Sequence, residues 1–152
     1  MKVRPVPADI EARGLGGARV LVVDDEDAAR RATARMLEAV GAEVWEASGG
    51  AEAIEAVSRD TFDVVLCDIV MPIIDGIAVL RTIRDRDLDT SVVLCTGAPG
   101  FASAVDALRL GAVDYVCKPA SMKHVCESVG PTRSFGARTM RSPRRRPGSC
   151  WR

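Results

Sequence analysis

The chain has few of the residues on which zinc sites and disulfide scaffolds depend. It contains 152 residues with a single histidine, and its five cysteines form no CxxC pair. A zinc site of standard ligand spacing is therefore excluded. No apolar run approaches the roughly 18 residues that a membrane-spanning helix needs, and residues 1–17 lack the apolar middle of a signal peptide. We therefore expect a cytoplasmic protein with reduced thiols and no contact with a membrane.

The composition is that of an ordinary globular domain, with 47% hydrophobic and 28% charged residues. The net charge of zero hides an asymmetry, because residues 131–152 contain seven arginines and no acidic residue, which leaves a net charge of −7 on residues 1–130. We expect a flexible leader over residues 1–17, one folded domain over 18–129 and a disordered, Arg-rich tail over 130–152. The tail has no helix-turn-helix pattern and no interleaved aromatics, so we do not expect it to bind nucleic acid.

Short apolar runs alternate with stretches of helical spacing. The runs are rich in β-branched residues and predict strands at residues 20–23, 44–47, 64–67, 92–95 and 113–117. Apolar residues repeat every three or four positions between the runs, and a last short stripe at residues 122–129 ends at Gly130-Pro131. Alternating strands and helices predict an α/β fold, in which a parallel sheet has helices on both faces. Function in such a fold lies at the carboxyl ends of the strands.

Polar residues follow four of the predicted strands at that edge. They are Asp24 and Asp25 after the first strand, then Asp68, Thr96 and Lys118. We expect all five to lie at one level of the sheet. Carboxylates crowded together repel one another unless a cation is present, and oxygen ligands without histidine or cysteine suit Mg²⁺.

This set of residues favours phosphoryl transfer over a purely structural role. Lys118 and the Thr96 hydroxyl are groups that can contact a phosphoryl group, and an aspartate can accept one as an aspartyl phosphate. A single acid at a strand end is more often an exposed residue or a helix cap, and Asp25 or Glu26 could cap the first helix. That interpretation does not account for the whole set.

The sequence resembles the receiver domain of two-component response regulators over residues 18–129. Four segments carry the resemblance: VLVVDDE (20–26), VVLCDIVMPIIDG (64–76), VVLCTGAP (92–99) and DYVCKP (114–119). The resemblance implies a flavodoxin-like, doubly wound sheet of five parallel strands in the order 2-1-3-4-5, here with a short last helix.

The resemblance also assigns roles to individual residues. It implies that Asp68 is the phosphoacceptor and that Lys118 pairs with the phosphoryl group. Asp24, Asp25 and Asp68, together with the backbone carbonyl of Val70, would hold Mg²⁺. Thr96 and Tyr115 would form the switch, with Tyr115 turning inward as Thr96 moves. In the family the chain also turns at the position of Lys118-Pro119, for which we predict a cis peptide bond.

The implied function is signalling and not metabolism. The phosphate would come from a sensor histidine kinase, and the domain would assist its own phosphorylation and dephosphorylation. Output would pass to an unknown partner through the last strand and its flanking helices, with a phosphorylation-dependent homodimer as a further expectation. Two alternatives stay open, namely a receiver-like scaffold that is not phosphorylated and an Mg²⁺ phosphatase with an Asp nucleophile. The phosphatase is disfavoured because Ala28 stands where its D-x-D-x-T motif needs threonine.

Three cysteines each come directly before a residue of the predicted site. They are Cys67, Cys95 and Cys117. We expect them to share one level of the sheet and to fill the core as small apolar side chains.

Overall fold

The computed structural model describes residues 17–97 and 101–118 of the chain. The strands are β1 (Arg19–Val23), β2 (Glu43–Ala47), β3 (Val64–Asp68), β4 (Ser91–Thr96) and β5 (Asp114–Cys117). The helices between them are α1 (Asp27–Ala39), α2 (Gly50–Arg59), α3 (Gly76–Asp85) and α4 (Phe101–Arg109). The strands form one parallel sheet in the order β2-β1-β3-β4-β5. The fold is therefore the flavodoxin-like sheet that the sequence predicts.

Each face of the sheet has its own hydrophobic core. On the face covered by α2, α3 and α4, which we call the three-helix face, Leu21 and Val23 of β1 pack with residues of those helices. On the opposite face, which we call the α1 face, Val20 and Val22 pack with Ala34 and Leu37 of α1. β1 is buried along its whole length, which explains why its sequence is a continuous apolar run and not an alternating one.

The chain turns at Gly41, shortly after α1 ends. Gly41 has a φ of 92°, in the left-handed region that favours glycine. Its N–H donates to the carbonyl of Glu38, and the N–H of Ala42 donates to the carbonyl of Leu37. This pair of bonds is a Schellman motif, which satisfies the last carbonyls of the helix and turns the chain into β2.

Arg19 forms a buried polar cluster at the amino edge of the sheet, opposite the predicted site. Its guanidinium carbon lies 4.8 Å from the ring centroid of Trp45 and 5.9 Å from that of Phe62. Its Nη2 atom lies 2.9 Å from Oδ1 of Asp60. The charge is therefore buried together with its counter-ion and two aromatic faces.

Several predictions concern residues that the structure does not describe. The leader, the short last helix and the tail lie outside the described residues, and so does Pro119 of the predicted cis peptide. Within the described ranges, no helix has the length and apolarity to cross a bilayer.

Candidate functional site

The register of the sheet brings Asp24 and Asp68 to one level. Val23 of β1 pairs with Cys67 of β3, so the residues that follow them stand side by side. The expectation of one common level is wrong for the other residues. Asp68 pairs with Cys95, and Thr96 pairs with Cys117. Thr96 thus lies one residue beyond Asp68 along the strands, and Lys118 lies one residue beyond Thr96.

Lys118 reaches back over this offset with its long side chain. Its Nζ atom donates to Oδ2 of Asp24 at 2.6 Å and to Oδ2 of Asp68 at 3.1 Å. Both carboxylate side chains are almost fully buried, at 7% and 10% exposed, and the lysine side chain is 28% exposed. The ammonium therefore bridges two buried carboxylates, on a side chain that stays partly exposed to solvent.

The third carboxylate completes a cluster that fits a hard cation. Asp24, Asp25 and Asp68 each offer one carboxylate oxygen, and the three oxygens lie within 4.8 Å of one another. Asp25 is exposed, whereas Asp24 and Asp68 are buried. Oxygen donors near an open side suit Mg²⁺, which binds through one or two carboxylates and keeps several of its waters. The residues present thus fit the metal ion that the sequence predicts.

Asp24 is held in place by its local turn. Its Oδ1 atom accepts the N–H of Glu26 at 2.9 Å, and its own N–H donates to the carbonyl of Ala47 at 3.2 Å. The capping interpretation of the acidic run finds no support, because Glu26 is the N-cap of α1 and makes no side-chain capping bond. The side chain of Glu26 therefore does not cap the helix, and Asp24 and Asp25 belong to the acidic cluster.

The loop after β3 packs tightly against the end of that strand. The N–H of Val70 lies 3.4 Å from Oδ1 of Asp68, and the N–H of Gly76 donates to the carbonyl of Ile69 at 2.9 Å. A Cβ atom at Gly76 would stand 2.3 Å from the carbonyl oxygen of Asp68. Asp75 caps α3 by accepting the N–H of Ala78 at 2.8 Å. Only glycine lets the first turn of α3 come this close to the end of β3.

Burial dominates the electrostatics of Asp68 and opposes the ion pairs of Lys118. Burial raises the pKa of Asp68 above its ordinary value, and the hydrogen bond and charge of Lys118 offset this only in part. Burial lowers the pKa of Lys118, but its hydrogen bonds to Asp24 and Asp68 outweigh that effect and raise the pKa above its ordinary value. Lys118 is therefore protonated at neutral pH. It lies beside Asp68, whose ionisation is disfavoured by burial.

Thr96 and Tyr115, the two predicted switch residues, stand on neighbouring strands. Leu94 pairs with Tyr115, and Thr96 pairs with Cys117 two residues further. Thr96 is 1% exposed, and Tyr115 packs partly buried against the core of the three-helix face. Because side chains alternate along a strand, both residues belong to that face, whereas Asp68 and Lys118 fall on the α1 face.

The three cysteines differ in environment and do not share one level. Cys67 is fully buried on the three-helix face, Cys95 is partly buried against the core of the α1 face, and Cys117 is exposed. The core-filling prediction thus holds for Cys67 and is wrong for Cys117. Burial raises the pKa of Cys95 to about 12. Cys95 stands level with Asp68, and its thiol stays protonated at neutral pH.

A groove runs from the cluster along α1. Its volume is about 410 Å³, and Asp24, Asp68 and Lys118 stand at its polar end. The apolar lining comes from α1 and the sheet: Val22, Val23, Ala29, Ala32, Thr33, Met36, Leu66 and Cys95.

Sequence reasoning missed Arg30, which is buried in the first turns of α1 and bonded to the acidic loop. The spacing carried a signal. Arg30 stands four residues before Ala34 and seven before Leu37, and these are the other two buried residues of the helix.

Comparison with known proteins is consistent with the geometry. The family described as "Response regulator receiver domain" matches residues 20–130. Chemotaxis protein CheY of Bacillus subtilis is 34% identical over 115 residues, which cover 75% of this chain and 96% of that protein. The probable transcriptional regulator ycf27 of Guillardia theta is 37% identical over 125 residues, 82% of this chain and 47% of that protein. The chain thus spans about half the length of that regulator.

A solved structure with the same fold carries a modified acceptor. It is a response regulator protein from Burkholderia pseudomallei "with a phosphorylated aspartic acid, calcium ion and citrate". It superimposes with a TM-score of 0.70 at 27% identity, and the match covers 74% of this chain and 66% of that one.

Proposed function

Because the chain belongs to the response regulator receiver family, we propose that it accepts a phosphoryl group on Asp68 from a sensor histidine kinase, with Mg²⁺, and changes conformation for output. The observation that carries the proposal is the contact of Lys118 with both Asp24 and Asp68, beside a third carboxylate at the mouth of the site. In this proposal, Asp68 is the acceptor, Lys118 is the cation for the phosphoryl oxygens, and the three carboxylates are the metal ligands.

The proposed transfer uses the side chains of Asp68, Lys118 and Thr96. An oxygen of the Asp68 carboxylate attacks phosphorus, an O–P bond forms, and the N–P bond of the donor phosphohistidine breaks with its electron pair leaving on the imidazole. Lys118 contacts a phosphoryl oxygen, and the Thr96 hydroxyl donates to another when the switch closes. Asp24, Asp25, Asp68 and the Val70 carbonyl would hold Mg²⁺, and the bound ion would neutralise negative charge on the phosphoryl oxygens.

The proposal extends to the switch, the partners and the location. Movement of Thr96 would draw Tyr115 inward and alter the surface formed by β5 and its flanking helices, where an output partner or a second copy of the chain would bind. A cytoplasmic location is supported by the free thiols of Cys67, Cys95 and Cys117, because unpaired cysteines are typical of reducing compartments.

The two alternatives make different predictions. A scaffold that is never phosphorylated would leave Asp68 unlabelled by small phosphodonors. A phosphatase would release inorganic phosphate from phosphomonoesters with repeated turnover. It would also need a residue in the role of the missing threonine, and Ala28 offers no such group.

Acetyl phosphate and Mg²⁺ provide a direct test. The acyl phosphate is reduced with borohydride, and mass spectrometry of peptides then locates the modified aspartate. We expect modification at Asp68 that depends on Mg²⁺ and is absent in Asp68→Asn. The matched control is Asp75→Asn, because asparagine caps a helix as well as aspartate does, and it should be labelled like the original protein. Full labelling of the Asp68→Asn variant would overturn the assignment.

A further inference from the structure

Arg30 is a buried cation with three acceptors beside the acidic cluster. Its Nη1 atom donates to the backbone carbonyl of Asp24 at 3.0 Å, its Nη2 atom donates to Oδ1 of Asp27 at 2.7 Å, and its Nε atom donates to Oε1 of Glu46 at 3.2 Å. The arginine side chain is 10% exposed. One guanidinium thus ties β2 to the loop that joins β1 to α1.

Arg30 and β2 together hold both backbone polar groups of Asp24. The N–H of Asp24 is held by the carbonyl of Ala47 on β2, and the carbonyl of Asp24 is held by Arg30. The carbonyl belongs to the peptide plane that leads into Asp25. Arg30 therefore restrains the backbone from which the exposed carboxylate of Asp25 projects, and this residue has no bond of its own to β2 among the described contacts.

We propose that Arg30 is a positioning residue that holds Asp24 and Asp25 in register for binding the metal ion. The inference rests on the proposed function, because it takes the acidic cluster to be a metal site. It assigns a role to a residue that contacts neither metal nor phosphate. Groups that orient metal ligands in this way are worth about 10- to 100-fold in metal affinity in other proteins.

Charge alone predicts the opposite effect. Arg30 is a cation near a cation site, so its removal would strengthen metal binding if electrostatics dominated. Its charge is already matched by the carboxylates of Asp27 and Glu46. We therefore expect the loss of the Asp24 restraint to dominate, and metal binding to weaken when the guanidinium is removed.

Arg19 supplies a matched control in the same chain. It is buried to the same degree as Arg30, at 6% against 8% exposed, and it is paired with Asp60. It lies at the amino end of β1, roughly 17 Å along the strand from the cluster. Arg19→Met should lower the melting temperature without changing metal affinity, which separates loss of stability from loss of ligand position.

The test uses Mn²⁺ as the probe, with free Mn²⁺ measured by electron paramagnetic resonance and Mg²⁺ added as a competitor. The intact chain carries Arg30→Met, Arg30→Lys or Arg19→Met, and circular dichroism verifies folding at the titration temperature. We expect about tenfold weaker binding in Arg30→Met, several-fold weaker binding in Arg30→Lys, and unchanged binding in Arg19→Met. The Arg30→Lys variant keeps the positive charge but loses the planar set of N–H donors that holds Asp24, Asp27 and Glu46. Its affinity for Mn²⁺ therefore tests the role of the hydrogen bonds even where Arg30→Met fails to fold.

The outcomes separate the inference from the proposed function. Unchanged or tighter binding in Arg30→Met, or full affinity in Arg30→Lys, would overturn the role of Arg30. An Asp25→Asn variant that binds Mn²⁺ as tightly as the original protein would instead overturn the metal site itself, and the proposed function with it.

Discussion

Ile73 stands fully exposed in the loop after β3, with a φ of 70°. A β-branched residue in the left-handed region is strained, at a cost of about 1–2 kcal/mol. Its side chain gains nothing from burial in return. Val70, in the same loop, is also exposed, at 66%. The loop next to Asp68 thus exposes two apolar side chains to solvent, which lowers the stability of the fold.

Replacement of Ile73 by asparagine should therefore stabilise the protein. Asparagine tolerates the left-handed region, and we expect the free energy of unfolding to rise by about 1 kcal/mol. Urea denaturation measures the change. Val70→Asn is the control and should show no such gain, because no positive φ is relieved there. A lower urea midpoint for Ile73→Asn would show that the isoleucine makes a stabilising contact in solution.

Asp68 should likewise reduce the stability of the fold in the absence of metal. Its pKa is raised in the folded state, so the folded protein loses stability as the pH rises from about 4 through the raised value. Asparagine does not titrate. The advantage of Asp68→Asn in EDTA should therefore grow across that window and reach about 1–3 kcal/mol at neutral pH. Urea denaturation at a series of pH values measures it.

Mg²⁺ should reverse the order of stability of the original protein and the Asp68→Asn variant. The ion binds the folded site and not the unfolded chain, so it raises the melting temperature of the original protein by mass action. It should help Asp68→Asn much less, because one ligand and one charge are gone. Equal shifts in both proteins, with no advantage of the variant in EDTA, would mean that the three acids do not form one site.

The residues of the site were predictable to different degrees. Short apolar runs fix where strands end, so the convergence of Asp24, Asp68 and Lys118 followed from the sequence. Their offset along the sheet did not, because register depends on how neighbouring strands pair. Arg30 was missed because an arginine within an amphipathic helix is ordinarily solvated, and only the loop packed beside it makes burial favourable.

At the scale of elements, the turn from β3 into α3 depends on Gly76. A methyl group there would stand 2.3 Å from the Asp68 carbonyl oxygen and 2.9 Å from the Cα atom of Ile69. Both neighbours are backbone atoms, so the strand end or the helix must move. The same turn positions Asp68 and starts the helix, which links the stability of α3 to the geometry of the site.

Gly76→Ala should therefore destabilise the fold by about 1–3 kcal/mol or more and weaken Mn²⁺ binding as well. Gly49→Ala is the matched control, because Gly49 precedes a helix and has open space where the methyl group would stand. Urea denaturation and Mn²⁺ titration of both variants give the comparison. Equal stability of the two variants would show that the turn can relax without cost.

The strands themselves were well predicted because their apolar runs are short, β-branched and separated by helical spacing. β5 begins at Asp114 and not at Val113, which is 37% exposed. The β-branched residue resembled a strand residue in sequence, and its N–H donates to the carbonyl of Val92 on β4 at 2.8 Å, but the paired register of the two strands begins only at Asp114. Boundaries of this kind depend on hydrogen bonds that composition does not report.

At the scale of the whole molecule, Tyr115 should couple the acceptor to the output surface. It packs against the three-helix core beside the strand that bears Thr96. We expect Tyr115→Ala to abolish the dependence of dimerisation on phosphorylation, because the shift between two pre-existing states would lose its link. Analytical ultracentrifugation with and without acetyl phosphate measures this, and Tyr115→Phe, which keeps the ring, should behave like the original protein. Equal dependence in Tyr115→Ala and the original would disprove the link.

Buried charges at the amino and carboxyl ends of the strands contribute differently to the stability of the fold. At the amino edge, Arg19 is enclosed by aromatic rings and its counter-ion, which resists local opening. At the carboxyl edge, burial raises the pKa of Asp68, so ionisation of this carboxylate lowers the stability of the folded state. A cation bound there would offset that cost, whereas the amino edge already contains its own counter-ion. Stability that depends on a bound ion is thereby confined to one end of the strands.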